Sequence, residues 1–119
     1  MILQIETKRV PPDGAIVQFG GKITLGRESQ RIEQVVDELL KEGVRKFIFD
    51  IAGVTYIDSS GLGMITLCSG KVVAAGGVLR VAAATGLAAK LFKMTRIDTV
   101  IPFFDTVEAA GAGFMPAAG

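Results

Sequence analysis

The chain has 119 residues, half of them apolar, and its 13 basic residues are balanced by 12 acidic ones. This length and apolar share predict one domain with one core over residues 1–119. The near-zero net charge offers no long-range attraction for nucleic acid or an anionic membrane. Histidine is absent, which excludes Ser-His-Asp and Cys-His catalysis and histidine-based metal sites. No metal or cofactor is predicted.

Cysteine content and hydropathy indicate the compartment. The single cysteine, Cys68, allows no internal disulfide, which suits a reducing cytosol, and its apolar surroundings predict a core position. No apolar run reaches the roughly 18 residues of a membrane-spanning helix. The first residues also lack the basic start of a signal peptide. The sequence therefore predicts a soluble, cytoplasmic protein without a membrane span.

The chain begins with a predicted β-hairpin. Residues 2–8 and 15–19 are rich in Ile, Val and Phe and predict two strands, the second ending at Gly20-Gly21. Between them, Pro11-Pro12-Asp13-Gly14 is a strong turn signal.

The middle of the chain alternates between helix and strand. Apolar residues over 32–40 recur at i, i+3, i+4, i+7 and i+8 and predict an amphipathic helix. Residues 47–51 form a nearly continuous apolar run, typical of a strand covered on both faces. A second helix is predicted from Asp58 to about Ala75. It is followed by a strand over 78–82.

The last third predicts smaller elements: a short helix over 87–94, a strand over 99–101, a helix over 105–110 and a frayed tail over 111–119. The alternation as a whole predicts an α/β fold with a parallel or mixed sheet and two right-handed crossovers.

The segment Asp58-Ser59-Ser60-Gly61 follows a predicted buried strand and begins a helix. Sites in α/β folds form beyond the carboxyl ends of strands. Asp58 is predicted to cap the helix, with Ile57 and Leu62 as a hydrophobic staple. Ser59 would then lie in the first turn with its hydroxyl open to solvent.

A phosphate on Ser59 would be compatible with that position. Helix N-termini offer free N–H donors and the positive end of the dipole. Gly61 and Gly63, unfavourable within a helix, indicate close approach by either a partner or a neighbouring strand. Asp-Ser-Ser-Gly is also a common helix cap, and these four residues alone are consistent with a cap that has no further role.

Other chemistries match the sequence less well. Residues 49–55 weakly resemble the aspartate loop of haloacid-dehalogenase-like phosphatases, but Ala52 replaces the second acid. The glycines after Ser59 do not complete a dinucleotide fingerprint or a Walker loop, and position 57 is Ile, so Ser59 is not in a Gly-x-Ser-x-Gly elbow. The sequence therefore predicts no enzyme.

One long segment closely resembles the signature of STAS domains, the anti-sigma factor antagonists of bacteria. It is Phe47-Ile48-Phe49-Asp50-Ile51-Ala52-Gly53-Val54-Thr55-Tyr56-Ile57-Asp58-Ser59-Ser60-Gly61-Leu62-Gly63. Weaker family-like features stand in matching order along the chain: Gly20-Gly21-Lys22-Ile23-Thr24, the helix over 32–40, Gly76-Gly77 and Leu91-Phe92-Lys93-Met94. The resemblance implies a STAS-like βα superhelix, a mixed sheet of about four to five strands with helices mainly on one side.

The resemblance also implies a regulatory cycle. The unphosphorylated module binds an anti-sigma factor serine kinase, which frees a sigma factor for transcription. Phosphorylation at Ser59 ends the binding, and a serine phosphatase restores it. Asp58, Ser60 and Gly61 would support the phosphorylation site. The surface for the partner would comprise Lys22, Thr24, Arg27, Glu28, Leu62 and Gly63.

The sequence departs from the family pattern at Thr24, because many antagonists carry an aspartate there. The departure favours an alternative, a STAS adaptor or scaffold that works without phosphorylation in a larger regulatory or lipid-transport assembly. Neither the particular kinase nor the state of self-association is predicted.

Overall fold

The computed structural model describes residues 3–24 and 26–114. Five strands and four helices follow one another in these segments: β1 (Gln4–Val10), β2 (Gly14–Ile23), α1 (Arg27–Lys41), β3 (Lys46–Ile57), α2 (Ser59–Ala74), β4 (Val78–Ala82), α3 (Gly86–Met94), β5 (Phe103–Phe104) and α4 (Val107–Gly111). A single 3₁₀ turn, Ile97–Thr99, separates α3 from β5.

The strands form one sheet in the order β1-β2-β3-β4-β5. Strand β1 is antiparallel to β2, which confirms the predicted hairpin. The other three neighbouring pairs are parallel, and each is joined through a helix. The sheet therefore has three crossovers where the sequence predicted two, because the chain also pairs β5 with β4.

The two faces of the sheet are covered unequally. Phe47 and Phe49 point into the main core with apolar residues of α1, α2 and α3, and we call this side the covered face. Ile48 points the other way, into a small cluster with Ala110 of α4 and Phe114. Successive side chains of β3 thus point alternately into the two clusters, one on each face of the sheet. The predicted layout, with helices mainly on one side, is confirmed.

Strands β2 and β3 are longer than predicted. Strand β2 continues through Gly20 and Gly21 to Ile23, and β3 continues past Gly53 to Ile57. Register shifts interrupt the pairing at these glycines, and Gly53 lies against the Phe19 carbonyl. Glycine therefore marks close packing of two strands here, where the sequence favoured a strand end.

The C-terminal predictions need correction. The strand predicted over 99–101 is wrong, because Ile101 is buried in the main core and β5 forms two residues later. The tail predicted to fray from residue 111 is instead packed up to Phe114, whose ring centroid lies 4.2 Å from the Arg80 guanidinium. Residues 115–119, and Ile2 at the other end, lie outside the described residues.

Candidate functional site

The predicted site lies where β2 and β3 end side by side. Ile23 pairs with Ile57, and the Asp58 backbone N–H donates to the Ile23 carbonyl at 3.2 Å. Helix α2 starts at the next residue, Ser59. The parallel pairing of the two strands therefore fixes where the helix begins.

Asp58 caps α2 as predicted. Its backbone is extended, and its side chain accepts a hydrogen bond from the Gly61 N–H at 2.8 Å. Ile57 and Leu62, on either side of the cap, are both buried in the main core, as the staple requires. The local sequence is sufficient to determine the cap and the staple, because both form between residues that are close together in the chain.

Ser59 and Ser60 are exposed in the first turn of α2. No acidic side chain lies within that turn itself, but the Asp58 carboxylate stands immediately before it and accepts from the Gly61 N–H. The helix start supplies free N–H groups and a positive dipole end. The Ser59 hydroxyl is thus accessible, and a group attached to it would lie near the free N–H groups of the first turn and beside the Asp58 carboxylate.

Gly61 and Gly63 have different reasons to be glycine. A Cβ on Gly61 would lie 2.8 Å from Cγ2 of Ile23 and from Cγ1 of Ile57, and closer still to the Ile23 carbonyl oxygen. Its close neighbour is therefore the adjoining strand end, one of the two alternatives left open by the sequence. A Cβ on Gly63 would meet nothing within 4 Å, so its space is open to a partner.

The predicted partner-surface residues do not all lie together. Thr24 directly follows β2 and is half-buried beside the start of α2. Lys22 is exposed but lies on the face opposite the main core, because its neighbour Ile23 points into that core. Leu62 is only 3% exposed and belongs to the core. The prediction that it lies on the partner surface is therefore wrong. Arg27 and Glu28 begin α1, and their side chains lie outside the described part.

The outer face of α2 is a further surface near Ser59 that was not among the predicted site residues. Residues 59–70 contain no charged side chain, and Leu67 and Val73 are 46% and 62% exposed. Gly70, like Gly63, has open space where a Cβ would be. The sequence could have indicated this surface, because a helix at the surface of a domain normally carries a polar face and residues 59–70 show none. An uncharged strip therefore leads away from Ser59.

At the end of the strip farther from Ser59, the nearest charges are tied to α1. Lys71 pairs with Glu33 and Asp37, and the hydrogen bonds to those carboxylates raise the pKa of Lys71. Cys68 faces inward and is buried, as predicted. Burial raises the pKa of its thiol to about 12, which keeps the thiol protonated and inert at neutral pH.

Within residues 3–24 and 26–114, no cluster of three or more acidic or cysteine side chains could hold a metal ion. In the same part of the chain, no helix combines the length and the apolar character needed to cross a membrane.

Comparison with known proteins agrees with this architecture. The family model described as the STAS domain matches residues 4–110. A putative anti-sigma factor antagonist from Thermotoga maritima is 22% identical with a TM-score of 0.81, covering 89% of this chain and 90% of that one. An anti-sigma factor antagonist from Mycobacterium paratuberculosis is 16% identical with a TM-score of 0.79, covering 93% and 92%. The phosphorylated form of the Bacillus cell fate determinant SpoIIAA is 16% identical with a TM-score of 0.71, covering 90% and 96%. At these identities the structures show a shared fold.

Proposed function

This chain belongs to the STAS domain family, and we propose that it is an anti-sigma factor antagonist whose binding to a partner is switched off by phosphorylation at Ser59. One observation carries the proposal: Ser59 is exposed in the first turn of a capped helix, at the end of an uncharged strip. A similar fold occurs in SpoIIAA, for which a phosphorylated form is known.

The proposed partner is an anti-sigma factor that is itself a serine kinase. In the transfer, the Ser59 Oγ attacks the γ-phosphorus of ATP, its proton passes to a base of the kinase, and ADP leaves. ATP and magnesium belong to the kinase, so this chain is the substrate and needs no cofactor. A serine phosphatase hydrolyses the phosphoserine and restores binding. The outcome is control of sigma-factor-dependent transcription in a bacterial cytoplasm.

Electrostatics explains why one phosphate is enough to release the partner. Phosphoserine brings about −1.5 to −2 charges at neutral pH. On the free chain this charge is solvated and lies near the N–H groups at the start of α2. In a complex, the same charge would be pressed against a partner that had matched an uncharged surface. Its desolvation without a counter-charge opposes binding, while the fold of the module stays unchanged.

The test uses the purified chain, the cognate kinase and ATP, with the phosphorylated position mapped by mass spectrometry. We expect one phosphate on Ser59, loss of modification in Ser59→Ala, and normal modification in the matched control Ser60→Ala. We also expect Ser59→Asp to weaken kinase binding. Modification at another residue, or binding indifferent to Ser59→Asp, would contradict the proposal.

Thr24 favours a second candidate, an adaptor or scaffold that binds its partner without phosphorylation in a larger regulatory or lipid-transport assembly. Its neutral side chain lies half-buried beside the start of α2, at the position where many antagonists carry an acid. Partners that co-purify equally with Ser59→Ala and Ser59→Asp would support the adaptor. Selective loss with Ser59→Asp would support the switch.

A further inference from the structure

Strand β1 forms an open edge of the sheet. No strand lies on its outer side in the described part of the chain. The strand is seven residues long, and most of its side chains are exposed. Such an edge presents a row of N–H and C=O groups that can pair with another strand. Charged side chains normally discourage this pairing, so the positions of the charges on β1 decide which strand could fit.

The charges on β1 alternate in sign on one face. Pairing with β2 places Glu6 beside Gln18 and Lys8 beside Ile16. Ile16 belongs to the small cluster beneath α4, so Glu6 and Lys8 both point away from the main core. Thr7, between them, points to the covered face and is exposed. Neither Glu6 nor Lys8 has an ion-pair partner within the described residues.

We propose that two copies of this chain associate through antiparallel pairing of their β1 strands, with the two-fold axis at Thr7. In this register each Glu6 stands directly opposite Lys8 of the second copy, on the same face. The axis repeats the contact, so two ion pairs form across one ladder. Opposite charges directly across a pair of strands stabilise it, and like charges destabilise it.

The neighbouring registers of the two β1 strands would bring like charges together. With the axis at Glu6, the two Glu6 carboxylates face each other. With the axis at Lys8, the two Lys8 ammonium groups face each other. An axis farther toward the start of β1 leaves fewer residues paired. An axis at Arg9 places the two Arg9 side chains opposite each other. One register of this edge is therefore self-complementary, which fits a second copy of the chain as the occupant.

The arrangement is compatible with the proposed switch. A two-fold axis perpendicular to the sheet keeps helices α1–α3 of both copies on one side and reverses the strand direction between them. The carboxyl ends of β3, and with them the two Ser59 sites, then lie at opposite ends of the doubled sheet. Each copy can meet its own partner without interference from the other.

Charge reversal tests the register in the full chain by sedimentation equilibrium. We expect Glu6→Lys and Lys8→Glu each to weaken dimerisation by at least about tenfold, since the axis doubles each like-charge contact. The double variant exchanges the two charges and should restore the wild-type dissociation constant. A double variant as weak as the single ones overturns the proposal. A wild-type chain that stays monomeric up to about 1 mM also overturns the proposal. The β1 edge would then be available for pairing with a strand of another protein.

Disulfide trapping tests the geometry independently. Directly opposed residues of antiparallel strands have Cα atoms about 4.5–5.5 Å apart, within the range that a disulfide spans. Thr7→Cys should therefore form a covalent dimer when the folded protein is treated with diamide, which accepts the two electrons and two protons. In the control Gln4→Cys the two thiols would lie about 20 Å apart. The native Cys68 is buried and stays silent. Equal trapping of both variants, or none of Thr7→Cys, overturns the register.

Discussion

Gly61 offers the sharpest test of how the start of α2 is held against the sheet. In Gly61→Ala, the added methyl would lie 2.8 Å from side-chain carbons of Ile23 and Ile57 and closer to the Ile23 carbonyl. Relieving such overlap in a well-packed core costs about 1–3 kcal/mol. Alanine returns up to about 1 kcal/mol of helix propensity. The nearest atom is a backbone carbonyl oxygen, which cannot rotate away, so the upper end of the overlap cost applies. We therefore expect Gly61→Ala to lower the free energy of unfolding by about 2 kcal/mol.

Gly63→Ala is the matched control. It lies in the same helix, two residues later, and its methyl would meet no atom within 4 Å. The higher helix propensity of alanine is then not opposed by any steric overlap. This variant should therefore be more stable than wild type by about 0.5–1 kcal/mol.

Urea unfolding followed by circular dichroism measures both glycine variants. With an m-value of about 1–3 kcal/mol per molar, their midpoints should differ by about 1 M. A Gly61→Ala midpoint equal to or above that of Gly63→Ala would refute the close packing described for this turn. A lowered midpoint for Gly63→Ala would refute the open space around that residue.

Three further predictions concern single side chains. Asp58→Ala removes the acceptor for the Gly61 N–H and should cost about 1 kcal/mol in the same urea assay, whereas Asp58→Asn should keep most of the cap. The pKa of Lys71 is raised by Glu33 and Asp37, so the stability that its charge contributes is present below the unfolded pKa and is lost as the pH rises through the folded one. Melting temperatures measured from pH 8 to 11.5 should therefore fall more steeply for wild type than for Lys71→Met, and parallel curves would contradict this. Cys68 should not react with a disulfide reagent at pH 8 until urea unfolds the chain; rapid labelling of the native protein would contradict its burial.

Local signals along the chain were sufficient for the centre of the candidate site. The cap at Asp58 and the staple around it depend on residues within one turn, so the sequence contains all that determines them. The helix predicted over 32–40 was confirmed within α1 for a similar reason: its apolar spacing directly reflects its buried stripe.

The surface around the site depends on distant parts of the chain. Leu62 was predicted both for the hydrophobic staple and for the partner surface, and helix geometry turns it toward the core. Lys22 was predicted near Ser59 because strand ends meet, yet strand alternation turns it to the other face. Position along the chain predicts nearness, whereas the direction of a side chain depends on packing between elements.

The end of the chain shows the same limit. Residues 99–101 have the composition of a strand, but pairing with β4 selects Phe103 and Phe104 instead. A partner strand is chosen by tertiary contacts, which β-propensity does not contain.

The packing of Phe114 on Arg80 has a consequence for how the protein is made. Arg80 donates hydrogen bonds to the carbonyls of Ala110 and Ala112, and Phe114 closes the small cluster around Ile16 and Ile48. These two isoleucines are synthesised well before Ala110 and Phe114, which cover them. On the ribosome, this apolar patch stays open to water and to chaperones until residues 110–114 emerge and cover it.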